Sequence, residues 1–305
     1  MILPYQKIFK QAYVFIKTNR FLIGFGLLLV LGGFFDYLYF VLQEDLVNTI
    51  AFSFGSIMQR NLILMTLIIG SIIYLLIYYR AQTAIILSTK GILDKQEVGF
   101  KKGFSYAGFF YLRVFGSVIS IKILLFVLIA ILAAPVIYLE ALGYEDRAVT
   151  TILVSALIFV PIYLLSHFII NLAPIFVVNR DLTIQEAIKA SFDLSLSSWK
   201  TMLVFSIVEV ILLFLMFLVS IIIVGLFLLP VVLFSLIFYD MGAFINSSIV
   251  WLLLPLGLAV FFSLQAAIVT FHSVCWVLFF EQMVKPKKMT EENEVVSIVT
   301  EIAGS

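Results

Sequence analysis

A lysine, any residue, a small residue and an aromatic recur three times along this chain. The copies are Lys10-Gln11-Ala12-Tyr13, Lys101-Lys102-Gly103-Phe104 and Lys189-Ala190-Ser191-Phe192, with lysines 91 and 88 residues apart. After each copy comes a short amphipathic stretch, then two long apolar runs. Periodicity on this scale constrains architecture before any site is considered, because each repeat is one supersecondary unit. It predicts three pseudo-repeated units, each an interfacial helix feeding a helical hairpin. The units are 1–92, 93–180 and 181–284, followed by a polar tail over 285–305.

The chain is 305 residues long, 63% hydrophobic and 12% charged. A soluble domain is about 45–50% apolar and about 25% charged, so the excess is too great for a core alone. The expected class is an all-α polytopic membrane protein with six transmembrane helices. The spans run Phe21–Val41, Asn61–Leu87, Phe109–Tyr138, Val149–Leu172, Met202–Leu229 and Val250–Phe280. Each reaches the roughly 20 residues needed to cross the hydrocarbon. Pro230 is expected to end or bend the fifth, with Pro161 and Pro255 as kink points. The N-terminal twenty residues are amphipathic and precede a full span, unlike a cleavable signal. The lone cysteine, Cys275, allows no disulfide framework.

The connections alternate in charge. One set carries Lys7, Lys10, Lys17 and Arg20, then Lys90, Lys95, Lys101, Lys102 and Arg113, then Arg180, Lys189 and Lys200, then Lys285, Lys287 and Lys288. The opposite set is poor in Lys and Arg, and holds Glu44, Asp45 and Arg60, then Glu140, Glu145, Asp146 and Arg147, then Asp240 alone. Lys and Arg concentrate in cytoplasmic loops. Both termini are therefore expected in the cytoplasm, in the inner (cytoplasmic) membrane of a cell.

The three arms read as helices lying in the membrane surface. Thr183-Ile184-Gln185-Glu186 is a capping box opening the third. Ile184, Ala187, Ile188, Ser191 and Phe192 share a face there; in the first arm the apolar face is Ile8, Phe9, Ala12, Tyr13, Phe15 and Ile16. Such helices brace the hairpins or dock on anionic lipid. Lys10, Lys101, Lys102, Lys189, Arg80 and Arg113 are the candidate headgroup and interface residues. Tryptophans 199, 251 and 276 and the tyrosines near span ends, including Tyr5, Tyr78, Tyr79 and Tyr106, suggest an aromatic belt. The many span phenylalanines suggest lipid-facing bulk.

Charges inside spans are costly and become functional candidates by default. They are Asp36, Lys122 and Glu209. Lys122 lies 21 residues beyond Lys101 and Glu209 lies 20 beyond Lys189, which predicts similar depth and a buried charge cluster, with Asp36 as a third member. As structure, such a cluster fixes helix register; as function, it lines a polar path for an ion, proton or headgroup. His167 and His272 suit interhelical hydrogen bonds better than a metal site, and His272 shares a face with Cys275 at i, i+3. No catalytic constellation, metal-ligand spacing or phosphate-cradling loop is present in the sequence, so no enzyme activity and no cofactor are expected. The lysine-rich arms are not a nucleic-acid patch.

The segment Ala173-Pro174-Ile175-Phe176-Val177-Val178-Asn179-Arg180, then Thr183 through Phe192, then Trp199, resembles a group of bacterial six-span proteins. That group is similar to the membrane domain carried ahead of the catalytic barrel in some glycerophosphodiester phosphodiesterases. Here only a short tail follows Phe280, so the resemblance implies a lipid-facing or scaffolding role and not the hydrolase. The expected function is a non-enzymatic scaffold or accessory subunit contacting membrane lipids. The alternative is a small transporter or flippase using Lys122, Glu209 and Asp36. A membrane-protein partner or a second copy of the chain are the protein partners compatible with it. The sidedness is testable in a Cys275→Ala background. Gln96→Cys should react with an impermeant maleimide only from the cytoplasmic side, and Glu145→Cys only from the other. Both reacting from one side would overturn the topology.

Overall fold

A chain in hydrocarbon must close its backbone hydrogen bonds within itself, and the helix does so segment by segment. The structure, a computed structural model, describes residues 5–31, 57–237 and 255–284. Among these residues there is helix and no strand. The helices are α1 (Tyr5–Thr18), α2 (Phe21–Leu31), α3 (Ile57–Leu93), α4 (Phe100–Ala107), α5 (Tyr111–Ala141), α6 (Glu145–Arg180), α7 (Ile184–Ser197), α8 (Trp199–Ile237) and α9 (Pro255–Val284). Five of them, α3, α5, α6, α8 and α9, are long and apolar enough to cross a membrane, six if α1 and α2 are taken as one bent span. The two meet at 99°, so if α2 stands along a bilayer normal, α1 lies near its plane. This is the architecture of a multi-pass membrane protein.

The helices outrun the expected spans. At 1.5 Å per residue the 36 residues of α6 reach about 54 Å, well past a hydrocarbon core of about 30 Å. Proline does not stop them. α5 contains Pro135 and α6 contains Pro161 and Pro174. α8 continues beyond position 230 to Ile237, so the expected end of the fifth span at Pro230 does not occur. One lost backbone bond is tolerated where the surrounding turns and hydroxyls take up the freed group. Hydroxyls are likewise closed locally: Ser117, Ser120, Ser220, Ser263, Thr270 and Ser273 each donate to a carbonyl three or four residues earlier.

The chain forms two compact units, one over 1–10, 112–203 and 274–305, the other over 11–111 and 204–273. In the first, α5 is buried at Val114, Ser117, Val118 and Ile121 and exposed beyond them, while α6 is exposed through most of its first half and buried from Leu172 to Val178. The core therefore sits at the end of the hairpin where α7 joins it. Ile121, Ile169 and Ala173 pack there with Leu165, Ile170 and Ile188. Ile184 of α7 reaches Gly116, where an added Cβ would stand 2.5 Å from its Cδ1. Trp276 is buried edge-on to His167 and Phe279, and Phe176 meets Phe280 edge-on at 4.9 Å. Trp276 is thus core and not aromatic belt, a correction to the expectation. Tyr5 reaches Thr201, its hydroxyl donating to the carbonyl at 3.3 Å.

In the second unit α2 is clamped on two sides. Phe25 stacks on Phe100 of α4 at 4.6 Å, and Thr270 of α9 donates to the Leu22 carbonyl. A Cβ on Gly26 would collide with Thr270 Oγ1 and the Ala266 carbonyl. Tyr74 of α3 donates to the Leu28 and Leu29 carbonyls. Phe25 and Tyr79 are buried, so neither is the lipid-facing bulk or belt residue their sequence positions suggest. In a membrane, large aromatics gain from packing against protein, because lipid already matches their polarity and offers no fixed shape.

The small residue of every motif copy is buried: Ala12, Gly103 and Ser191. Each belongs to an i, i+4 stripe: Ile8-Ala12-Ile16, Gly103-Ala107 and Ala187-Ser191-Ser195. A Cβ on Gly103 would meet Ser88 Oγ at 2.5 Å and the Phe25 ring at 3.3 Å. Small residues let helix backbones approach closely. The expected apolar faces hold at these positions, but Tyr13 and Phe192 are turned outward, 60% and 40% exposed.

Two outcomes follow from this packing. Gly26→Val should destabilise the protein by about 1–3 kcal/mol in detergent unfolding. Gly225→Ala, where a Cβ meets open space, should show no such loss. The capping box is present as expected, with Thr183 N donating to Glu186 Oε2 at 3.0 Å and Glu186 N to Thr183 Oγ1. Hydrogen bonds from the Thr183 side chain and backbone lower the pKa of Glu186. A lowered carboxylate contributes stability above its unfolded value that is lost as pH falls through the folded one. Relative to the intrinsic exchange rate, amide protection at the start of α7 should therefore fall on acidification below the usual carboxylate range. In Thr183→Ala, that acid-dependent step should shrink.

Candidate functional site

From Trp199 to Ile237 α8 carries two charged residues, Lys200 in its first turn and Glu209. An apolar helix of this kind must give Glu209 a partner or leave an ion uncompensated, which is among the most costly burials in a protein. The partner is His272 of α9, whose Nδ1 lies 3.0 Å from Glu209 Oε1. The carboxylate side chain is 1% exposed and the imidazole 30%. Each residue is the ionisable group deepest in its own apolar run. They also stand almost symmetrically about the connection between the helices, 32 residues before and 31 after Met241.

The same faces carry a second polar tie. Ser220 is three turns beyond Glu209 and Gln265 two turns before His272, so each keeps the face of its predecessor. Gln265 Nε2 donates to Ser220 Oγ at 3.2 Å. Further on, Gly257 lies against Leu228. Positions rising along α8 meet positions falling along α9, so the helices are antiparallel. Beside the second tie lies an open, largely apolar cavity of about 280 Å³, lined by Ser220 itself and by Leu215, Met216, Val219, Ile223, Leu264 and Ile268 among others. One turn from Glu209 on the other side, Ser206 is buried, 8% exposed, and its hydroxyl has no hydrogen-bond partner among the described residues.

The anticipated cluster is therefore distributed differently. Glu209 is buried and bonded to His272. Lys122 is exposed on α5. Asp36 lies outside the described residues. The interhelical hydrogen bond expected of His272 is present. His167 meets Trp276 edge-on, and its Nε2 lies 3.5 Å from Asn171 Nδ2. Among the described residues no three His, Cys, Asp or Glu side chains gather as a metal site.

The interface candidates divide into two groups. Arg80 donates to the Phe104 carbonyl at 3.0 Å and lies 4.5 Å over that ring. Arg113 pairs with Asp181 at 2.7 Å and points further N–H groups at the Asp181 and Leu182 carbonyls. Asp181 adopts the left-handed conformation that closes α6, which Asp tolerates better than most residues. Both arginines thus tie arms or arm junctions to the hairpins. Lys10, Lys101, Lys102 and Lys189 are exposed, although Lys102 donates to the Glu97 carbonyl at 3.2 Å.

Comparison of the chain with protein-family models, curated proteins and solved structures finds no match. The partner of Glu209 was hidden because the motif copies align the first helix of one unit with the first helix of the next. Aligning the two arms of one hairpin about its connection would have pointed to His272.

Removing one member of a buried hydrogen-bonded pair should be more harmful than removing an exposed lysine. Glu209→Ala and His272→Ala should each cost about 1–3 kcal/mol in detergent unfolding. Their double variant should cost less than the sum, and Lys122→Ala should stay within about 0.5 kcal/mol of the parent.

Proposed function

We propose that this chain is a non-enzymatic integral membrane scaffold that holds anionic lipid at the cytoplasmic face through its three arms. In this reading it has six spans in three pseudo-repeated units, with both termini cytoplasmic. The carrying observation is the two-sidedness of the arms. Each motif buries its small residue, and each leaves its lysine exposed near an exposed aromatic. Lys10 has Tyr13, Lys101 has Phe100 and Tyr106, and Lys189 has Phe192. A cationic and aromatic outer flank beside a packed inner stripe suits a helix at headgroup level. The near-perpendicular turn between α1 and α2 supports the same placement. The resemblance of the third unit to phosphodiesterase membrane domains points to lipid contact as well.

The test is lipid retention by the full chain in mixed nanodiscs, read by native mass spectrometry. Each surface lysine is worth about 1 kcal/mol toward an anionic membrane. The triple variant Lys10→Gln, Lys101→Gln, Lys189→Gln should therefore lose about 3 kcal/mol, on the order of 100-fold in preference for phosphatidylglycerol over phosphatidylcholine. The arginine variant Arg80→Gln should change stability more than lipid preference. An unaltered preference in the triple variant would overturn the reading.

A further inference from the structure

We propose that a cavity between α3 and α4 seats one anionic glycerophospholipid, with the lipid phosphate on Lys102 and the glycerol and first methylenes on the apolar wall beside it. The inference rests on the scaffold reading in one respect: it takes α4 to lie at the cytoplasmic headgroup level.

The cavity holds about 260 Å³ and is partly open. Leu87 of α3, Val98 of the connection and Phe110 beyond α4 give it an apolar wall, while Gln96, Lys102 and Tyr106 bring polar groups to it. Lys102 is the one charged residue of the lining, so the matching ligand group is an anion. Lys102 Nζ donates to the Glu97 carbonyl at 3.2 Å. An ammonium has three N–H groups. The bond therefore positions the charge and leaves two donors without a partner among the described residues. The carboxylates nearest in sequence lie off this lining. Glu97 lines the neighbouring polar hollow with Lys95 and Asn19, and Asp94 lines neither.

Two close approaches shape the cavity in advance. Gln96 N donates to the Gly91 carbonyl at 2.8 Å, which folds the connection back on α3. A Cβ on Gly91 would stand 2.5 Å from Val98 Cγ2, and one on Gly103 2.5 Å from Ser88 Oγ. Glycine at both places lets the connection and α4 close on α3, and three walls are set before any ligand arrives. A preformed site loses less to ordering on binding.

Size and place select a lipid over a soluble anion. Pockets that enclose a small molecule begin at about 300 Å³, so a whole phospholipid does not fit. A phosphate, its glycerol and the start of one chain do, with the rest of the lipid continuing into the bilayer. Leu87 and Gly91 belong to the last two turns of α3, at the end of the apolar stretch Gly70–Leu93. That is the depth at which a headgroup meets its chains. Tyr106, 54% exposed, adds a ring and a hydroxyl suited to the same boundary. A free phosphate ester could use Lys102 but would leave the apolar wall in water.

The experiment is native mass spectrometry of the full chain in a neutral detergent, titrated with phosphatidylglycerol, phosphatidylcholine or glycerol phosphate. One phosphatidylglycerol should bind ahead of all others, and more tightly than one phosphatidylcholine. Lys102→Gln should weaken that first binding by on the order of tenfold, the loss expected for a charge-assisted hydrogen bond. Lys102→Arg should keep most of it, and excess glycerol phosphate should not displace the lipid. Val98→Phe fills the apolar wall and keeps the charge. It should weaken the first lipid as well, and it carries the test should Lys102→Gln not fold. The proposal is overturned if Lys102→Gln binds the first lipid as the parent does, or if phosphatidylcholine binds as tightly. Displacement by glycerol phosphate would overturn it too, since the headgroup alone would then be the ligand. The triple variant Lys10→Gln, Lys101→Gln, Lys189→Gln separates this site from the scaffold reading, because it should keep the first lipid. If it loses its general anionic preference while Lys102→Gln keeps the first lipid, the scaffold reading stands and this site fails. If it keeps that preference while Lys102→Gln loses the first lipid, the site stands and the scaffold reading fails.

Discussion

Everything in this chain follows from the cost of an unsatisfied polar group in an apolar solvent. Helices close the backbone, and the hydroxyls of Ser117, Ser120 and Thr270 bond back to their own helix. Glu209 takes His272, Arg113 takes Asp181, and Arg80 takes the Phe104 carbonyl. Because hydrocarbon gives helices little reason to associate, the contacts that hold the bundle are close-packed and polar ones.

Close approach is supplied by glycine, alanine and serine at crossings. Gly26 admits Thr270 and Ala266, Gly116 admits Ile184, and Gly103 admits Ser88 and Phe25. The same device places the arms. A stripe of small or branched residues seats each short helix against the protein, which leaves the flank with lysine and aromatic residues outside. Arg80 and Arg113 are tied to backbone carbonyls instead.

Much of this was legible in residue types. The capping box at Thr183 and Glu186 is a local pattern whose geometry depends on four consecutive residues, and it forms as expected. Long apolar runs became long helices for the same local reason. Burial of individual aromatics was not legible. Trp276 and Tyr79 sit at span ends like belt residues, and Phe25 sits in a run like any lipid-facing side chain. Which flank of a uniformly apolar helix meets protein depends on its neighbours, since no polar face marks the other side. The helix ends also escaped, because Pro230 marks a local preference that α8 overrides.

The sequence by itself determined that the chain is helical and membrane-suited, since these depend on composition and on spacing within short windows. It also determined that Glu209 would need a partner, because no apolar helix carries a bare charge cheaply. Only the tertiary structure decided that the partner is His272 and that Lys122 stands exposed. Depth along a helix can be counted from sequence, but the direction a side chain faces, and which helix lies there, is set by how the helices pack.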